Sequence, residues 1–164
     1  MSYEALCSKL RCLPIQSLVG IEGFCSSGKS RLADQLAKNI PAHVFHTDDF
    51  ATKHDDPPPY LDCLKLTELA ATVASRGKSS VSIIEGICLR DVLSACAIDA
   101  DLFLYIKRMG RNGLWYDGLH LEDFDERSPV DGDELEPHLS DLEYHSRVRP
   151  HERADLVYLR VEED

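Results

Sequence analysis

Eight consecutive residues, Gly23-Phe24-Cys25-Ser26-Ser27-Gly28-Lys29-Ser30, have the types and spacing of a loop that holds a phosphate chain. Glycines let the backbone wrap tightly, so successive N–H groups can converge on an anion. A helix that begins at the loop adds the positive end of its dipole. In this pattern the Lys29 ammonium reaches the β- and γ-phosphates, and the Ser30 hydroxyl holds Mg²⁺. Arg31 follows directly and joins the candidate nucleotide-binding set with Gly23, Cys25, Ser26, Ser27, Gly28, Lys29 and Ser30. A plain glycine- and serine-rich turn needs neither Lys29 nor Ser30, so phosphate binding is the better reading.

Two further groups complete a chemistry. Asp48-Asp49-Phe50 and Glu85-Gly86 each follow a short apolar run that reads as a strand. In an open parallel sheet, ligands gather beyond the carboxyl ends of the strands. Phosphoryl transfer needs positioning, charge neutralisation and a base for the attacking hydroxyl. Asp48 or Asp49 supplies the base, with a turn or helix cap as the competing role. Ser30, Glu85 and Asp48 are the candidate Mg²⁺ ligands, Glu85 acting through water.

The elements that must position these groups alternate along the chain. Tyr3, Leu6, Leu10 and Leu13 predict an opening helix. Strands are expected at Leu18–Ile21, His43–Thr47, Val81–Glu85, Leu102–Ile106 and Leu156–Leu159. Leu32, Ala33, Leu36, Ala37 and Ile40 mark a helix that Pro41 stops. Further helices are expected from Leu61 to about Gly77, from Val92 to Ala97 and from His138 to Arg147. This order predicts a three-layer α/β domain over residues 1–164, with about five mainly parallel strands and helices on both faces.

Composition limits the partners. The formal net charge is −11, which argues against a nucleic-acid surface. From Asp117 to Glu143 there are eleven acids against one base, Arg127. Such a run reads as a solvated loop, or else as a flap over a substrate or a contact for a basic partner. No apolar run is long enough to span a bilayer. The six cysteines form no C-x-x-C pair and read as reduced thiols of a cytoplasmic protein. The sequence is compatible with a homo-oligomer. Trp115 and Tyr116 read as buried packing residues rather than stacking platforms for a base, and His43 and His46 as satisfied core or edge histidines rather than catalysts. His145, Arg147, Arg149 and Arg153 reach either a nucleotide or solvent.

Together Gly23–Ser30, His46-Thr47-Asp48-Asp49-Phe50 and Ile83-Ile84-Glu85-Gly86-Ile87 resemble the uridine kinase-like branch of the P-loop kinases. Arg153-Ala154-Asp155-Leu156-Val157 looks like the closing strand of that branch. The resemblance implies the P-loop NTPase fold, ATP and Mg²⁺ as cofactors, and a small-molecule hydroxyl, most simply a nucleoside, as acceptor. It also implies that Asp48 is the base. One departure concerns the arginine-rich lid after the fourth strand. Here that stretch offers Arg108 and Arg111, then turns acidic; by the resemblance the two arginines neutralise charge on the transferring phosphate, with a basic helix cap or surface pair as the competing role. A competing reading is a nucleotide-dependent switch or an ATP-binding regulatory protein. The chain has no N-K-x-D motif, which disfavours a GTPase.

Overall fold

The computed structural model describes residues 1–77, 80–126 and 134–161. Five strands, β1 (Leu18–Glu22), β2 (Ala42–His46), β3 (Val81–Glu85), β4 (Leu102–Met109) and β5 (Leu156–Val161), form one sheet in the order β2-β3-β1-β4-β5. Every adjacent pair is parallel. In register, Ile21 lies beside Glu85 on one flank and Leu104 on the other. The carboxyl ends of β1, β2 and β3 therefore reach one rim together.

Helices cover both faces, as the alternation predicts. Helices α1 (Tyr3–Arg11) and α2 (Lys29–Asn39) bury Leu6, Leu10, Leu32 and Leu36 against Val19, Ile21, Ile83 and Leu104. Helices α3 (Leu66–Ala74), α4 (Leu89–Ala95) and α6 (His138–Val148) bury Leu69, Val73, Val92 and Tyr144 against Leu18 and Ile84. Each fully buried leucine contributes about 1.5–3 kcal/mol relative to exposure. A smaller cluster holds α5 (Tyr116–Glu126) to α6 through Phe24, Leu121 and Leu142. The one-turn helix α7 (Pro150–Arg153) leads into β5.

Local chemistry explains the ends. Ser2 caps α1, its hydroxyl accepting the Ala5 N–H at 3.2 Å. Ile40 stands before Pro41 and is extended, with φ −130° and ψ 146°, so α2 stops there.

Three details differ from the sequence expectation. The helix expected from Leu61 is split into a 3-10 turn, Tyr60–Cys63, and α3, because Leu64 is extended and bridges Ala51. Strand β4 runs on to Met109, so Arg108 stands on a strand rather than in a following lid. The acidic run begins with a helix, α5, where a loop was expected; residues 127–133 of that run lie outside the described residues. Among the described residues no helix is long and apolar enough to cross a membrane.

Candidate functional site

The phosphate-type loop joins β1 to α2. Gly28 caps α2 with φ +96°, a left-handed conformation that favours glycine. A Cβ there would also lie 2.6 Å from Nη1 of Arg160, whose guanidinium donates to the Ser27 carbonyl at 2.9 Å. By helix geometry the first N–H groups of α2 have no intrahelical acceptor. The Lys29 ammonium is buried and donates to the Gly23 and Phe24 carbonyls at 3.0 and 2.8 Å. An ammonium has three donors, so this leaves one for a phosphate oxygen. Among the described residues the buried Ser27 hydroxyl has no hydrogen-bond partner.

Lys29, Ser30, Asp48 and Glu85 line a single cavity of about 220 Å³ with Cys25, Ser26, Arg31 and Tyr60. Asp49 is exposed and does not line it. Glu85 is buried at the end of β3, and its Oε1 lies 2.7 Å from His46 Nδ1. Burial opposes protonation of His46. The bond and charge of Glu85, helped by Asp34 and Asp49, outweigh it and raise the imidazole pKa. Gly86 follows because nothing larger fits: a Cβ there would lie 1.9 Å from the Thr47 hydroxyl. Among the described residues no three His, Cys, Asp or Glu side chains converge as a metal cage. Ser30, Asp48 and Glu85 offer a hydroxyl and two carboxylates to that cavity, donors of the kind Mg²⁺ takes alongside phosphate and water.

A second cavity, of about 380 Å³, opens on the other side of the loop and shares Cys25 and Ser26 with the first. Arg108 and Asp117 line it, joined by an ion pair at 3.0 Å. Burial raises the Asp117 pKa, against the pull of Arg108. Asp141 lines it too, and its Oδ2 accepts the Cys25 N–H at 2.6 Å. His145 Nδ1 lies 2.8 Å from the Asp141 carbonyl oxygen and 3.1 Å from its Oδ1. The shorter contact takes the hydrogen, so Oδ1 lacks a full hydrogen bond. The His145 ring stacks on Phe24 at 3.6 Å. Helix α6 thereby grips the loop by its backbone and by an aromatic face.

The structure thus brings Lys29, Ser30, Asp48 and Glu85 together and puts Arg108 next door, bound to Asp117. Arg111 is exposed in the turn after β4 and lines neither cavity. His145 packs under the loop, while Arg147 and Arg149 pair with Asp91 and Asp125. His46 is satisfied by Glu85 at the strand end. Sequence reasoning also missed Tyr60, Asp141 and the buried Glu22, which meets Arg90 at 3.0 Å and the Tyr144 hydroxyl. One signal was available: Asp141, His145 and Val148 share a buried helical face, an unusual place for a carboxylate.

No family model and no curated protein matches the sequence. Solved structures do. A proposed uridine kinase of Bacillus stearothermophilus superposes with a TM-score of 0.61 at 18% identity, covering 94% of this chain and 96% of that one. A proposed fructose transport system kinase of Silicibacter sp. TM1040 gives 0.51 at 17% identity, covering 96% and 99%. The chain has the P-loop NTPase fold, and the resemblance read from its motifs has a counterpart in its architecture.

Proposed function

We propose that the protein is an ATP-dependent kinase that transfers the γ-phosphate to a hydroxyl of a small molecule. The observation that carries this is one cavity holding Lys29 and Ser30 of the loop beside Asp48 and Glu85. Loop amides and Lys29 bind the phosphate chain, and Arg31, exposed, lines the same cavity. Ser30, Glu85 and Asp48 suit a bound Mg²⁺, which would neutralise charge on the transferring group. Asp48, rather than Asp49, takes the acceptor's hydroxyl proton. The acceptor oxygen then bonds to the γ-phosphorus as the bond to the bridging oxygen breaks, and ADP leaves with the electron pair.

The two cavities meet at Cys25 and Ser26, so an acceptor with its hydroxyl at Asp48 can place its body in the larger one. The Asp117 and Asp141 carboxylates there, with Arg108 already engaged, favour an acceptor rich in N–H or O–H donors over an anionic one. A nucleoside fits this description; a sugar is the next choice.

The test is ADP release from Mg-ATP against nucleosides, sugars and sugar acids, with Lys29→Ala as control. Stimulation by a neutral or cationic alcohol, lost in Lys29→Ala, is the expected result. Hydrolysis at one rate whatever the acceptor points instead to a nucleotide-dependent switch.

A further inference from the structure

Asp48 does not stand alone at the end of β2. The Tyr60 hydroxyl lies 2.7 Å from Asp48 Oδ1 and 2.8 Å from Thr47 Oγ1. A phenol has one proton and an ionised carboxylate only accepts. The Tyr60 proton therefore goes to Asp48, and the Thr47 hydroxyl donates to the phenol oxygen. The chain Thr47 to Tyr60 to Asp48 has one direction.

Each link is fixed from outside. The Thr47 hydroxyl sits where a side chain on Gly86 would lie. The Tyr60 backbone N–H donates to Ser140 Oγ at 3.0 Å. Ser140 is the neighbour of Asp141, which holds the Cys25 N–H of the loop. Two consecutive residues of α6 thus hold the support of Asp48 and the phosphate loop.

We propose that Tyr60 is a positioning residue for transfer: its hydroxyl fixes Asp48 Oδ1 and leaves Oδ2 to take the acceptor's proton. This rests on the reading of Asp48 as the base. It assigns the work to the hydroxyl, not to the ring. A ring that merely stacked on the acceptor would act equally well as phenylalanine.

Tyr60→Phe, Thr47→Val and the double variant separate these cases, with Asp48→Asn alongside. Acceptor-dependent ADP release and the KM for ATP are measured for each. Tyr60→Phe should lower kcat by about tenfold or more, since small losses of alignment are costly in transfer, with the KM for ATP within about twofold. Thr47→Val should act in the same direction but less, and the double variant should be no worse than Tyr60→Phe, because the two act as one unit. A Tyr60→Phe enzyme with full kcat overturns the proposal, as does a parallel loss of kcat and ATP affinity. If Asp48→Asn keeps the wild-type rate, the base assignment itself fails. Without an active acceptor, the Asp48 carboxylate ¹³C resonance reads the bond directly. A shift in Tyr60→Phe supports it, and an unchanged resonance overturns it.

Discussion

The two sides of the phosphate loop are finished differently. On the β2–β3 side the acids are partnered: Asp48 with Tyr60, Glu85 with His46. Among the described residues, Ser82 Oγ at the start of β3 and Ser27 Oγ in the loop have no hydrogen-bond partner, and neither, on the β4–α5–α6 side, do the buried atoms Tyr105 Oη, Asp117 Oδ2, Asp141 Oδ1, His145 Nε2, Arg108 Nε, Trp115 Nε1 and His151 Nδ1. Buried polar groups are normally satisfied, and leaving one unsatisfied costs about 1–3 kcal/mol. The first side has the fixed geometry that chemistry requires. The second has hydrogen-bonding capacity in reserve, which a bound molecule or ordered water can take up. The proposed kinase reading puts transfer on the first side and acceptor recognition on the second.

The largest break in this contrast comes from Gly86→Ala. Its Cβ would lie 1.9 Å from Thr47 Oγ1, displacing the group that orients Tyr60. Overpacking of this kind costs about 1–3 kcal/mol, to be read by urea unfolding, and turnover should fall further than stability. The next effect is on the other side. Asp141→Ala leaves the Cys25 N–H without its acceptor, which should cost about 1–3 kcal/mol of stability and weaken ATP binding severalfold by calorimetry. Asp141→Asn keeps an oxygen for that N–H and should lose less.

The smallest effects are in pH, and they have opposite signs. His151 packs at 4.9 Å from Trp115, and burial, with Lys107 nearby, lowers its pKa from 6.5 to about 4. Neutral His151 is the form the fold keeps, so this stability is present above the unfolded value of about 6.5 and is lost as pH falls toward about 4. His46 is the reverse. Its raised pKa contributes stability fully below the unfolded value, and that is lost as pH rises through the folded one. His151→Phe should flatten the acid limb of an unfolding-temperature profile, and His46→Gln the limb near neutrality.

The loop, the strand ends and the sheet were legible because each rests on a local backbone demand. Gly28 needs a left-handed φ, and Gly86 needs an absent side chain. Tyr60 was not legible. Its bond to Asp48 crosses a segment with three consecutive prolines, Pro57 to Pro59, and its support is a serine eighty residues away. Helix α5 was hidden for another reason. Its buried face is Asp117, Gly118 and Leu121, so a single leucine stands in for an apolar stripe. Arg108 was misplaced because β4 continues through Lys107 and Arg108, charges that read as the start of a loop.

The most direct test of the account is Asp48→Asn, assayed for Mg-ATP binding by calorimetry and for acceptor-stimulated ADP release. The account predicts that nucleotide binding survives, with at most a severalfold loss of Mg-ATP affinity because Asp48 is also a candidate Mg²⁺ ligand, and that turnover falls by about 10²–10⁴, the usual contribution of a positioned base. Undiminished turnover would contradict it.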